Sequence, residues 1–214
     1  MQQRLKIALF GATGMIGSRI AAEALARGHE VAAISRRPQP VEGAAGLTTL
    51  AGDVFDAQAN AQRIAGFDAI ASAYGPAQED TAKVIQATRA LIELARISGV
   101  KRLVAVGGAG SLEVAPGKQL VDTEGFPDAY KAVALAHREA LGLYREATDI
   151  DWTFFAPAAI IAPGTKTGAF RTGADTLIVD AGGASKISAE DYAIAFVDEI
   201  EQNRFVRRIA TVAY

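Results

Sequence analysis

The chain has 214 residues, of which 50% are hydrophobic and 21% are charged, and its net charge is −2. This length supports one domain with a substantial core, and the near-neutral charge gives no electrostatic reason to expect nucleic acid or an anionic membrane as a partner. The absence of cysteine excludes disulfides, thiolate catalysis and cysteine-based metal sites.

Apolar strands and amphipathic helices alternate along most of the chain, which is the pattern of a parallel sheet covered on both faces. Strands are predicted at 5–10, 31–35, 47–51, 69–73, 102–106 and 152–155, and helices at 15–27, 57–64, 79–98 and 130–148. This order predicts a doubly wound α/β fold with the strand order 3-2-1-4-5-6.

The tail is less regular and rich in glycine, with a strand predicted at 176–179. Ser188 and Asp191 resemble a capping box and predict a helix, with Asp191 in place of the usual Glu, and a last strand follows at 208–212. The long irregular stretches at 111–129 and 158–185 both follow the carboxyl ends of strands. Open α/β sheets bind ligands at these ends, so we expect both stretches to be functional.

The first strand runs directly into a glycine-rich turn with the spacing G-x-x-G-x-x-G, and a helix begins with no gap. Gly11 permits the tight turn, Gly14 lets backbone amides approach an anion, and Gly17 lets the helix pack close to the strand. The free amides and the positive dipole end of the helix suit a diphosphate. The alternative is a structural turn without a ligand. The predicted dinucleotide contacts here are Gly11, Thr13, Gly14, Met15, Ile16 and Gly17.

The end of the second strand carries Arg36 and Arg37, where an enzyme that binds NAD usually has an acidic residue for the ribose 2′-hydroxyl. Two guanidinium groups suit a 2′-phosphate, so we expect NADP(H) to be preferred over NAD(H). The alternative is a pair of solvated arginines. Asp53 either accepts the adenine amino group or closes a turn. Further predicted contacts with the adenosine half are Val54, Ala73, Tyr74 and Gly75.

Five stretches together resemble one known family: GATGMIG at 11–17, GDV at 52–54, SAYGP at 72–76, VAVGGAGSLEVAPG at 104–117 and DWTFFAPAA at 151–159. They are similar to the atypical short-chain dehydrogenases/reductases called NAD(P)H-binding or NADH-flavin reductases, which include relatives of biliverdin reductase B and NmrA-like proteins. The resemblance implies a single Rossmann-type domain over 1–214. It also implies a small C-terminal substrate lobe, with segments within 111–129 and 158–214.

One feature of ordinary short-chain dehydrogenases is missing. They use a Tyr-x-x-x-Lys pair on the helix after the fifth strand, where one helical turn places both groups on one face. Here Tyr130 and Lys131 are adjacent, and Tyr144 is followed four residues later by Thr148. This departure argues against routine ketone or sugar oxidation.

The resemblance implies reduced nicotinamide as the hydride donor and FMN, another flavin or a similar planar acceptor as the substrate. From their position after the fifth and sixth strands, we expect Gly107, Gly108, Pro157 and Ala158 to flank the nicotinamide. Ser111 and Tyr130 are the candidate catalytic groups, with a loop hydroxyl and a packing tyrosine as the plainer alternatives. His137 is expected to pack, and no cluster has the spacing of metal ligands.

The sequence therefore predicts an NADPH-dependent oxidoreductase that acts on a flavin, quinone or similar small molecule. Two alternatives stay open: a non-catalytic NADP(H)-sensing regulator of the NmrA type and, weakened by the missing tyrosine pair, a nucleotide-sugar epimerase or dehydratase. We expect a monomer or small homo-oligomer. Because there is no signal peptide and no apolar run of about 20 residues, we also expect a cytoplasmic protein without a membrane partner.

Overall fold

A computed structural model describes residues 3–38, 45–75 and 80–214 of the chain. The helices are α1 (Met15–Ala26), α2 (Ala57–Arg63), α3 (Ala82–Ser98), α4 (Asp128–Glu146) and α5 (Ala189–Gln202). The strands are β1 (Lys6–Phe10), β2 (Glu30–Ser35), β3 (Leu47–Ala51), β4 (Ala69–Ser72), β5 (Arg102–Val106), β6 (Glu113–Ala115), β7 (Lys118–Gln119), β8 (Asp151–Ala156), β9 (Ile160–Ala162), β10 (Arg171–Gly173), β11 (Lys186–Ser188) and β12 (Arg208–Ala213).

The main sheet has eight strands in the order β10-β12-β8-β5-β4-β1-β2-β3. All pairs are parallel except the edge pair of β10 with β12, which is antiparallel. The predicted order 3-2-1-4-5-6 is confirmed, with β8 as the sixth strand. The molecule therefore has a Rossmann-type α/β fold, and β12 and β10 extend its sheet.

Alternation along the strands builds one core on each face of the sheet. In β1, Ile7 and Leu9 join the core beneath α1 and α5, whereas Phe10 joins the core beneath α2, α3 and α4. This is the period of two that a strand buried on both faces imposes on its side chains. Trp152 is buried in the second of these cores, as expected.

Most predicted boundaries agree with the structure within a few residues. The helix predicted from 130 begins at Asp128, because Pro127 holds an extended backbone as its N-cap. The helix predicted from 79 begins at Ala82, and position 79 itself lies outside the described residues.

Two predictions in the tail need correction. The strand predicted at 176–179 is wrong: Thr176 forms an isolated bridge with Glu113, and the edge strand of this region is β10. Asp175 has a positive φ of 60°, which interrupts the extended backbone between β10 and Thr176.

The predicted capping box is present only in part. The Ser188 hydroxyl accepts a hydrogen bond from the Asp191 amide at 3.0 Å, as an N-cap does. The Asp191 carboxylate does not bond back to the Ser188 amide; it accepts hydrogen bonds from Thr167, Gly168 and the Tyr214 hydroxyl.

The irregular stretches after β5 and β8 meet each other. The Glu113 amide donates to the Asp175 carbonyl at 2.7 Å, and the Leu177 amide donates to the Glu113 carbonyl at 2.9 Å. The last strand, β12, belongs to the main sheet, so a separate substrate lobe stays a prediction. None of the described helices is long and apolar enough to cross a membrane.

Candidate cofactor site

A groove of about 740 Å³ opens at the carboxyl ends of β1, β2, β3 and β4. These strands are neighbours in the sheet, so the loops that follow them converge although they are distant in sequence. The predicted cofactor residues that line this groove are Gly11, Thr13, Gly14, Met15, Ile16, Arg36, Asp53, Val54, Ala73, Tyr74 and Gly75.

The turn between β1 and α1 is built from positions where a side chain would collide with the backbone. Gly11 has a φ of +79°, and a Cβ there would lie 2.5 Å from the Ala73 carbonyl oxygen. A Cβ at Gly17 would lie 2.0 Å from the Gly11 carbonyl oxygen, which explains why this buried glycine supports the groove without lining it. The turn therefore lies so close to the residue after β4 and to the start of its own helix that neither position has room for a side chain.

The start of α1 faces the groove without a side-chain cap. Gly14 is the N-cap, no side chain among the described residues caps the first amides of the helix, and a Cβ at Gly14 would meet no atom closer than 3.5 Å. The amides of the first turn of a helix have no partner within the helix, and they carry the positive end of its dipole. The turn therefore fits a diphosphate held by main-chain amides.

The end of β2 brings one arginine to the groove and leaves the other outside its lining. Arg36 and Arg37 are both exposed, but Arg36 alone is among the described residues that line the groove. Asp53 lines the groove and also closes a turn, because its carboxylate accepts the Phe55 amide at 3.2 Å. The two interpretations of Asp53 are thus compatible in one side chain.

Tyr74 forms an aromatic wall with Phe55, whose ring meets it edge-on at 5.6 Å between centroids. Burial is the largest influence on the Tyr74 hydroxyl and raises its pKa, so the phenol is neutral at physiological pH. An ion pair between Asp80 and Lys83 lies at the same groove, at the start of α3. The lining residues that the sequence analysis missed are Phe10, Ile34, Ser35, Gly52, Phe55, Asp80 and Lys83.

The predicted nicotinamide side lies at the ends of β5 and β8, outside the lining of this groove. Val106 pairs with Phe155, so the loops that follow these strands start side by side. Gly107 is needed for packing, since a Cβ there would lie 2.2 Å from the Phe154 ring, and Gly108 lies against His137. Pro157 and Ala158 are buried.

The two candidate catalytic residues are not brought together in the groove. Ser111 is only 3% exposed, and its hydroxyl has no hydrogen-bond partner among the described residues. Tyr130 is 55% exposed at the start of α4, and Lys131 beside it is also exposed. Their roles stay predictions.

The histidines differ in their surroundings. The ring of His29 accepts the Leu5 amide at 3.2 Å and lies 2.7 Å from a Glu201 carboxylate oxygen, so it joins the start of β1 to α5. His137 lines a cavity of about 20 Å³ with Ser72, Thr88 and Tyr144, and its Nδ1 atom is buried without a partner among the described residues. In the parts of the chain that the structure describes, no cluster of side chains could hold a metal ion.

The sequence matches the family model described as NAD(P)H-binding over residues 11–203. The chain belongs to the NAD(P)H-binding family. Membership of this family agrees with the geometry of the glycine turn and the groove, and it identifies the cofactor class as a nicotinamide dinucleotide.

Several solved structures resemble this member of the NAD(P)H-binding family over almost its whole length. A Burkholderia pseudomallei protein, provisionally named an exported protein, is 67% identical, with a TM-score of 0.92 and coverage of 98% of this chain and 100% of that chain. A Bacteroides thetaiotaomicron protein, provisionally named an epimerase, is 38% identical, with a TM-score of 0.91 and coverage of 99% and 98%. A Streptococcus pneumoniae TIGR4 protein, provisionally named an NADH-flavin reductase, is 31% identical, with a TM-score of 0.87 and coverage of 98% and 99%.

Proposed function

We propose that this protein is an NADPH-dependent reductase of flavins, quinones or similar planar small molecules. The observation that carries the proposal is the groove itself, where the glycine turn, the open start of α1 and Arg36 lie along one continuous surface. Bound NADPH would supply a hydride, and the planar acceptor would receive it. The proposal places the protein in the cytoplasm, where reduced nicotinamide dinucleotides are available.

Each part of the groove has a role in this proposal. The first amides of α1 hold the diphosphate, and Arg36 pairs with the 2′-phosphate. Asp53 accepts the adenine amino group, while Tyr74 and Phe55 wall the adenosine half. No acidic residue stands at positions 36 or 37 to repel the 2′-phosphate, which supports the preference for NADPH over NADH.

The proposed acceptor requires little chemistry from the protein. A flavin or quinone carries its own electron-accepting atoms, so the protein chiefly has to align the two rings and exclude side reactions. The absence of a Tyr-x-x-x-Lys pair fits such an acceptor, and so does the name of the Streptococcus relative. Tyr130 is the proposed contact on this side because its side chain is exposed, whereas the Ser111 hydroxyl is buried.

An epimerase is the second candidate, because the Bacteroides relative carries that name at 38% identity. Short-chain epimerases and dehydratases would need an acid or base at the sugar, which the Tyr-x-x-x-Lys pair supplies in ordinary members. This chain lacks that pair, so the reductase is the stronger proposal.

The first test compares cofactor binding by calorimetry in the wild type, Arg36→Ala and the control Arg89→Ala, whose side chain lies on α3 outside the groove lining. Loss of a charge-assisted pair should weaken NADPH binding about 10-fold to 100-fold in Arg36→Ala, with NADH binding nearly unchanged. The control should match the wild type. An unchanged NADPH preference in Arg36→Ala would contradict the assigned role of this residue.

The second test measures the oxidation of NADPH with FMN, riboflavin and small quinones, by the loss of its near-ultraviolet absorbance. Turnover above the uncatalysed rate supports the reductase. Tight binding without turnover on the whole panel supports an NADP(H) sensor instead, and failure to bind any nicotinamide dinucleotide defeats the proposal.

A further inference from the structure

The groove carries a second cation besides Arg36. Lys83 lies in the first turn of α3 and forms an ion pair with Asp80, three residues earlier, and both side chains line the groove. Both are nearly half exposed, at 45% for Lys83 and 43% for Asp80. Arg36 after β2 and the Asp80–Lys83 pair at the start of α3 therefore share the groove with a second carboxylate, Asp53 after β3.

The charges of this group act on one another. The hydrogen bond and charge of Asp80 raise the pKa of the Lys83 ammonium, while the positive charge of Arg36 acts in the opposite direction. Lys83, Asp80, Arg36 and the Asp53 carboxylate all influence the Tyr74 hydroxyl as well, and all of them line the groove with it. Lys83 is therefore a charged group held beside a like charge by one acidic neighbour.

An exposed ion pair of this kind is weak, because water screens it and two flexible side chains must be ordered to form it. A phosphate monoester carries close to two negative charges at neutral pH and accepts several hydrogen bonds. Such a group placed between Arg36 and Lys83 would balance both cations, whereas Asp80 balances only one.

We infer that Lys83 is a second contact for the 2′-phosphate of NADPH, and that Asp80 is a built-in competitor which holds the ammonium until the phosphate displaces it. The inference rests on the proposed function and names how that site selects its cofactor. NADH has no 2′-phosphate and leaves the Asp80–Lys83 pair in place. The pair therefore affects NADPH binding and leaves NADH binding as it is.

The test compares Lys83→Met, Asp80→Asn and the double variant with the wild type, and uses Arg89→Met as the matched control on the outer side of α3. Calorimetry gives the Kd of NADPH and of NADH for each. Lys83→Met should weaken NADPH binding about tenfold with less than about a twofold change for NADH. Asp80→Asn should tighten NADPH binding severalfold, because the competitor is gone, and it should leave NADH unchanged.

The double variant decides whether the two residues act through each other. If Asp80 acts only by holding Lys83, the gain from Asp80→Asn disappears in the Lys83→Met background. Equal effects on both cofactors in Lys83→Met, or weaker NADPH binding in Asp80→Asn, would overturn the inference. Circular dichroism and thermal melting confirm that each variant is folded.

The outcomes separate the inference from the proposed function. If Arg36→Ala abolishes the NADPH preference and Lys83→Met leaves it intact, the inference fails and the proposed function stands. If the wild type binds no nicotinamide dinucleotide, or prefers NADH, the proposed NADPH-dependent function fails, and the inference fails with it.

Discussion

His137 makes the stability of the folded protein depend on pH. Burial lowers the pKa of this imidazole from 6.5 to about 4, and its Nδ1 atom has no partner among the described residues. Between these two values the unfolded chain binds a proton that the folded chain does not, so stability falls as the pH falls through this window and is fully present above it. The loss is about 3 kcal/mol at the acidic end.

This prediction is checked by urea unfolding of the wild type and His137→Gln from about pH 7 to about pH 4. The wild type should lose stability more steeply, and the difference between the two curves should grow below about pH 6.5. Titration of the imidazole by NMR gives an independent value. An imidazole that titrates near its ordinary pKa would contradict the prediction.

Site residues could be predicted from the sequence where their position depends only on neighbouring segments of the chain. Gly11 and Gly17 could be assigned because a strand, a turn and a helix follow one another within one short segment. Lys83 and Phe55 were missed because their place at the groove depends on which loops the sheet brings together. Ser111 follows a strand end as expected, but only the fold shows that its hydroxyl is buried.

Among the elements, α5 holds the preceding loop through the carboxylate of Asp191. This buried group accepts hydrogen bonds from the Thr167 hydroxyl at 2.5 Å and from the Thr167 amide, the Gly168 amide and the Tyr214 hydroxyl, each at 2.8 Å. Burial raises the pKa of Asp191, but these hydrogen bonds outweigh it and lower the pKa overall. The first turn of α5 thereby joins residues 167–168 to the last residue of the chain.

Asp191→Asn should destabilise the protein by about 2–3 kcal/mol, because an amide group would face donors that need an acceptor. Tyr214→Phe removes one of the donors and should cost less, about 1 kcal/mol. Denaturant unfolding at neutral pH measures both. Equal costs for the two variants would show that the Asp191 charge contributes little.

The tail shows where the prediction of elements failed. The pattern at Ser188 identified the start of α5, because the cap acts over three residues. The partners of the Asp191 carboxylate lie more than twenty residues away or at the chain end, so local spacing carried no sign of them. The strand predicted at 176–179 failed for a similar reason, since β10 is defined by its pairing with β12.

For the whole molecule, the alternation of strands and helices was enough to predict the order of six strands of the main sheet, β1 to β5 and β8. Parallel strands need crossover helices, and the handedness of these crossovers leaves few topologies. β10 could not be predicted, because a three-residue antiparallel edge strand has little pattern of its own. The two ends of the parallel strands differ: the groove lies at their carboxyl ends, and a buried ion pair lies at the amino ends of β5 and β8.

That ion pair joins β5, β8 and α5 through Arg102 and Glu199. The Arg102 guanidinium donates to the Glu199 carboxylate at 2.7 Å, and the Thr153 hydroxyl donates to the same oxygen at 2.9 Å. Glu199 is fully buried, and burial is the main influence that lowers the pKa of Arg102. The pair therefore depends on both members, because either charge alone would be buried without compensation.

Glu199→Gln should destabilise the protein by about 3–5 kcal/mol, because it leaves the Arg102 charge without its counter-ion. The double variant Arg102→Met/Glu199→Gln removes the uncompensated charge and should be more stable than Glu199→Gln alone. Thermal and urea unfolding measure both effects. The pair lies at the amino ends of the strands and the groove at their carboxyl ends, so the folded variants should bind NADPH with the affinity of the wild type. A weaker affinity would show that the two ends of the sheet are coupled.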